Sequence, residues 1–176
     1  MRIIAGNLKG QTFDSPHGHR THPMSDKLRG AIFNILGDIN GLSVLDAFSG
    51  SGALAFEAVS RGASRVIAID SDRQAQQTIA ANIKSLNMSE KVKLIKASVN
   101  AWLTTSDEMF DIILADPPYD DLQIPLLVRL TARVKNGSLL VLSWPGNVEI
   151  PVLDSLTLVS CKGYGDARLV FFRQVH

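Results

Sequence analysis

One junction constrains the fold more than any other part of the chain. Residues 43–47 form a short apolar run with strand character. That run passes through Asp46-Ala-Phe-Ser-Gly50-Ser-Gly52 into residues 53–61, whose apolar spacing is helical and which Gly62 stops. A buried strand that turns through glycines into a helix needs further strands beside it to satisfy its backbone. The sequence supplies them. Strand-like runs at 65–69, 92–97, 110–115 and 138–144 alternate with helical stretches at 73–86, 100–103 and 122–134. Pro125 is tolerable in the last of these only within its first turn. Two more strand-like runs, 156–162 and 168–173, read as a terminal hairpin. The alternation predicts an α/β fold with a mostly parallel sheet and helices on both faces.

Size and composition agree with that reading. At 176 residues, 45% hydrophobic and 20% charged, the chain makes one domain with a core that needs no crosslink. The longest apolar runs, such as 112–115, fall far short of the ~20 residues of a membrane helix. The first ten residues lack the apolar core of a secretion signal, and the lone Cys161 can form no intrachain disulfide. A cytoplasmic protein is expected, with Cys161, Trp102 and Trp144 serving packing.

Ahead of the first strand lies a different kind of segment. Residues 2–5 and 8–13 read as a small hairpin, 14–23 as an exposed loop, and Ser25 as the cap of a helix closed by Gly37. The formal net charge of +1 argues against a nucleic-acid partner until its distribution is read. Residues 1–30 carry +3, with three of the four histidines, and the remainder carries −2. A basic arm on a near-neutral body points to a phosphate-bearing partner. His17, His19 and His22 have suggestive spacing, but no cysteine or acid is fixed near that loop, so no metal is expected.

The chemistry is carried by three places. Asp70 ends the second strand, twenty positions after Gly50. A carboxylate there can accept both hydroxyls of a ribose, and the glycine turn lets the backbone approach the ligand. This combination indicates an adenosine-type cofactor. Gly50-Ser-Gly-Ala-Leu-Ala55 also fits a dinucleotide fingerprint, which leaves a nucleotide-dependent oxidoreductase as an alternative. Asp46 favours S-adenosylmethionine, because an acid before the glycines suits a cationic ammonium and repels a pyrophosphate. The third place is Asp116-Pro117-Pro118-Tyr119 after the fourth strand. The prolines fix the backbone, so the Asp116 carboxylate and the Pro117 carbonyl form a rigid row of acceptors beside an aromatic face. A planar base with an exocyclic amine fits: the amine donates to the acceptors and the ring stacks on Tyr119.

With these residues in place, the chain resembles a class I S-adenosylmethionine-dependent methyltransferase, and more closely the RsmD-type enzymes. The likeness runs through Arg2-Ile-Ile-Ala-Gly6, Pro23-Met-Ser-Asp26-Lys-Leu-Arg29, Ile32-Phe33-Asn34, Leu45 to Leu54, Glu57-Ala58, Ser60-Arg61-Gly62-Ala63 and Asp116 to Tyr119. The resemblance implies a Rossmann-like, seven-stranded sheet with the last two strands antiparallel. It implies an extension over 1–37 that faces RNA and a catalytic domain over 38–176. It implies transfer of a methyl group to the N2 amine of a guanine in 16S ribosomal RNA, by a monomer acting on the small ribosomal subunit or its assembly intermediate. Adenine N6 methylation in RNA or DNA shares the same motifs.

The expected cofactor set is Asp26, Asp46, Phe48, Ser49, Gly50, Ser51, Gly52, Asp70, Ser71 and Ser98. The expected catalytic set is Asp116, Pro117, Pro118 and Tyr119. The expected RNA contacts are Arg2, Lys9, Arg20, His22, Lys27 and Arg29. Three positions depart from the family pattern. His22-Pro23-Met24 stands for the usual Arg-Pro-Thr, Gly30 for Glu, and Ala97-Ser98 for an acid or amide.

Overall fold

A computed structural model describes residues 1–17 and 24–175. Seven strands form one sheet in the order β3-β2-β1-β4-β5-β7-β6. They are β1 (Ser43–Asp46), β2 (Arg65–Asp70), β3 (Val92–Lys96), β4 (Phe110–Ala115), β5 (Val134–Pro145), β6 (Leu156–Tyr164) and β7 (Ala167–Gln174). β1 to β5 run parallel, β7 pairs antiparallel with β5, and β6 pairs antiparallel with β7. The order reverses between β1 and β4, and such reversals place ligands beyond the strand carboxyl ends. Asp46, Asp70 and Asp116 stand at those ends on three adjacent strands.

The helices are α1 (Asp26–Leu36), α2 (Ala53–Ser60), α3 (Arg73–Ser85), α4 (Val99–Thr105) and α5 (Ile124–Leu130). Local chemistry sets their ends. The Ser25 hydroxyl accepts from the Leu28 amide to cap α1, and the Asp72 carboxylate does the same for α3 through Ala75. Two buried clusters lie on the two faces of the sheet. One joins the amino-terminal arm, α1, α2 and α3 through Ile3, Phe13, Phe33 and Phe56. The other joins α4 and α5 through Trp102, Leu127 and Leu130, with Trp144 fully buried beside them. Among the described residues, no helix is long and apolar enough to cross a membrane.

Three expectations require correction. The amino-terminal hairpin is shorter than expected: it pairs only around the antiparallel bridge of Arg2 with Thr12, where Ile3 donates to Gln11, Gly10 to Ile3 and Phe13 to Met1. The backbone nearer its turn is claimed by α2. Ile4 and Ala5 donate their amides to the Glu57 carboxylate at 2.8 and 3.1 Å, and Leu8 donates to the Ser60 hydroxyl at 2.9 Å. The last helix ends at Leu130, is followed by a 3-10 turn over Thr131–Arg133, and gives Val134 to β5. Val134 pairs with Phe110, and the register then shifts so that Ile112 meets Leu139, which makes an irregularity of residues 135–138 within β5. Cys161 is exposed on the edge strand β6, most of whose residues face solvent.

Residues 1–17 and α1 thus share a core with the sheet. Gly6 makes the contact possible: its φ is +83°, and a Cβ there would lie 1.9 Å from the Ser60 carbonyl oxygen. Glu57 is fully buried, accepts from Arg61 Nε at 2.8 Å and lies 3.7 Å from Arg29 Nε, which is also buried. Removing one partner of such a group strands the others in a dry interior. Glu57→Ala should therefore destabilise the protein by about 3–5 kcal/mol in denaturant unfolding. The amides of Ile4 and Ala5 should then lose hydrogen-exchange protection before those of β4. Gly30 sits inside α1, where an added Cβ meets only the Ile4 Cδ1 at 3.9 Å. Gly30→Ala should raise stability by about 1 kcal/mol in the same unfolding measurement.

Candidate active site

The glycine loop is held from both sides before any ligand arrives. The Ala47 amide donates to the Leu114 carbonyl of β4 at 3.0 Å, and the Ser49 amide to the Ile69 carbonyl of β2 at 2.9 Å. Gly50 donates its amide to the Asp70 carboxylate at 2.7 Å. Gly52, with φ of +81°, starts α2, and a side chain there would strike the Phe56 ring at 2.6 Å. The turn thus requires glycine at 52 both for its dihedral and for its packing.

Asp46 lies beneath this loop with no exposed surface. The Ser49 hydroxyl donates to its Oδ2 at 2.7 Å, while its Oδ1 has no partner. Burial pushes its carboxyl up to about 7, against the Ser49 hydrogen bond, and the charges of Asp116 and Asp70 add to the rise. Burial also raises Asp70, against the amides of Asp72 and Gly50. Three carboxyl groups on adjacent strands with one orphaned oxygen make a site short of positive charge. S-Adenosylmethionine fits such a site: Asp46 could receive its ammonium, and Asp70 could accept hydrogen bonds from its ribose hydroxyls.

The Asp-Pro-Pro-Tyr side of the site is built from β4 and β5. Asp116 is half-buried, Pro117 is buried, and Pro118 and Tyr119 are exposed. Burial pushes the Asp116 carboxyl up to about 6, outweighing a hydrogen bond from Ser143. The Tyr119 hydroxyl lies 2.9 Å from the Ser143 hydroxyl, which pins a ring that is otherwise 44% exposed. Sequence reasoning missed Ser143. Its signal was a lone hydroxyl closing an apolar strand, Leu139 to Leu142.

The remaining expected residues separate. Phe48, Ser49, Ser51 and Gly52 lie in or under the loop, and Ser71 is exposed beyond β2. Ser98 caps α4, its hydroxyl accepting from the Ala101 amide at 3.1 Å. Asp26 pairs with Arg29 at 2.9 Å and with Arg2 at 3.3 Å. Lys9 and Lys27 are exposed. Arg29 is corrected from an RNA contact to a buried strut: it is 0% exposed and donates to the Arg2 carbonyl at 2.7 Å. Arg20, His19 and His22 lie outside the described residues. No cluster that could hold a metal ion occurs among the described residues.

A doubly wound sheet of this strand order, with an acid-flanked glycine loop after β1 and Asp-Pro-Pro-Tyr after β4, defines a class I methyltransferase, whose methyl donor is S-adenosylmethionine. Residues 1–173 match the family model described as Conserved hypothetical protein 95, and the chain belongs to the RsmD-type methyltransferases. A Ribosomal RNA small subunit methyltransferase D of Buchnera aphidicola is 33% identical over 76% of this chain and 70% of its own. A putative rRNA methyltransferase of Bacillus subtilis, YlbH, is 29% identical over 99% of both chains. The solved structure of a putative methyltransferase from Escherichia coli, yhhF, superimposes with a TM-score of 0.89 at 25% identity, covering 99% of this chain and 98% of that one.

Asp46 generates a signed pH dependence. A cation bound beside it favours the ionised form, so binding below pH 7 must release a proton. Cofactor affinity should be flat above about pH 7 and fall by up to about tenfold per pH unit below it. Calorimetric titration in buffers of different ionisation enthalpy reads this proton directly. Asp46→Asn should weaken binding and abolish the slope. A slope unchanged in that variant would assign the proton elsewhere.

Proposed function

We propose that the protein methylates the N2 amine of a guanine in small-subunit ribosomal RNA. Methyl transfer to ribosomal RNA is the activity carried in the names of its relatives. The guanine amine is the finer reading and rests on the family likeness through residues 23–36. The observation that supports amine chemistry is the Asp116 carboxylate and Pro117 carbonyl at the end of β4, beside the loop that ends β1.

S-Adenosylmethionine supplies a methyl group on a sulfonium, an electrophile that needs no further activation. The nucleophile does need help, because an amine conjugated to a purine holds its lone pair in the ring. Asp116 and Pro117 accept hydrogen bonds from its two N–H groups, draw the nitrogen toward tetrahedral geometry and localise the lone pair. Tyr119 stacks on the ring and holds the nitrogen in line, so positioning carries most of the rate. The surplus proton passes to Asp116 or to water. The exposed cations Arg2, Lys9 and Lys27 give the amino-terminal segment a phosphate-facing surface. A ribosomal substrate sets the workplace in the cytoplasm.

Labelled methyl transfer to small subunits lacking this modification, followed by nucleoside analysis, tests the reading. N2-methylguanosine is the expected product; N6-methyladenosine would overturn the guanine assignment. Asp116→Ala should lower kcat by about 100-fold or more with cofactor affinity within twofold of the parent. At saturating cofactor, kcat should fall below about pH 6, as protonation removes one acceptor.

A further inference from the structure

The catalytic motif is bordered by a cleft that the methyl-transfer chemistry does not use. It has a volume of about 330 Å³ and lies between the start of α1, Tyr119 and the β6–β7 turn. Its walls include Ser25, Lys27, Tyr119, Tyr164 and Asp166. Asp116 and Pro117 are not among them, so the cleft adjoins the amine-accepting spot rather than containing it. Both rings are held: Tyr119 through the Ser143 hydroxyl, and Tyr164 by packing against the buried cluster of the arm and α1. Lys27 is exposed and has no ion-pair partner among the described residues, in contrast to Arg2 and Arg29 beside it.

We infer that this cleft is a second nucleotide subsite, which takes an unpaired RNA nucleotide adjacent to the target, with its base against Tyr164 and its phosphate at Lys27. The inference deepens the proposed RNA methyl transfer and rests on that reading for the identity of the polymer. The occupant follows from the chemistry of the walls. Two aromatic rings and a lysine without an ion-pair partner among the described residues, lining one cleft, suit a stacked base joined to an anion. The cleft continues from Tyr119, the same ring that stacks on the target, so its occupant lies on the same strand. A target base that leaves its stack also exposes the base beside it, and a ring that receives that neighbour holds the strand open. Tyr164 then acts in substrate binding, away from the reacting atoms.

The test uses the full chain, with unmodified small subunits as substrate and a fluorescent single-stranded RNA oligonucleotide as binding probe. Tyr164→Ala should raise KM for subunits about tenfold or more and leave kcat and cofactor affinity within twofold. Tyr164→Phe, which keeps the stacking face, should behave as the parent. Lys27→Gln should reduce the slope of log affinity against log salt for the oligonucleotide by about 0.7. A parent-like KM for Tyr164→Ala overturns the subsite. So does a fall in kcat alone, or equal impairment of Tyr164→Phe. Thermal midpoints establish that each variant is folded. The anisotropy of the oligonucleotide separates the two readings. If the parent methylates no RNA yet binds the probe through Tyr164, the proposed function falls and the subsite stands. If it binds no probe and Tyr164→Ala leaves turnover on subunits unchanged, the subsite falls alone.

Discussion

The carboxylate of Glu57 ties the molecule together. It sits on α2, fully buried, and four groups from three segments converge on it: the amides of Ile4 and Ala5, and the side chains of Arg61 and Arg29. A buried charge is tolerated only when so surrounded, because the cost of leaving water must be offset by paired donors. The geometry has a reach beyond Glu57 itself. α2 begins at Gly52, in the cofactor loop, so the element that presents the loop also anchors the amino-terminal arm. Arg29 extends the connection by holding the Arg2 carbonyl and the Asp26 carboxylate. The start of α1, where it borders the cleft beside Tyr119, is therefore referenced to the same helix as the glycine turn.

A second tension runs along the sheet edge. Asp46, Asp70 and Asp116 occupy adjacent strand ends, and burial raises all three carboxyl groups from their ordinary value. For Asp46 the sign is adverse to folding. A raised carboxyl contributes its full stability at low pH and loses it as pH climbs from the ordinary carboxylate value toward 7. The protein thus carries, at neutral pH, a penalty that a cation bound there would relieve, in keeping with the orphaned Oδ1 of Asp46.

Much of this was legible in the chain. The strand-helix alternation, the loop after β1, the cap at Ser25 and the tetrad after β4 are local patterns, and local patterns survive folding. What escaped reading was set by distant partners. The arm pairs as a hairpin only at its base, because Glu57 and Ser60, more than fifty positions away, take the amides of Ile4, Ala5 and Leu8 nearer its turn. Arg29 looks like a solvated cation at the edge of a basic segment until Glu57 and Asp26 close around it. The border between α5 and β5 depends on Val134 finding Phe110, a choice made by the sheet and invisible in the helical run 122–134. Ser143 and Tyr164 carry no motif, and only the tertiary arrangement places them beside Tyr119.

The cleft beside Tyr119 joins residues 25–28 to residues 164–167, so the two ends of the chain meet over a reaction edge made by its middle. The consequence is a division of hereditary labour. Residues 43–119 carry the groups proposed for cofactor and amine, and changes there strike at chemistry. Exposed positions of the terminal segments, such as Lys27 and the β6–β7 turn, can change without touching the Glu57 anchor or the pairing of β7 with β5, and each such change redraws only the surface around the cleft. A fold arranged in this way can acquire new targets by editing its margins.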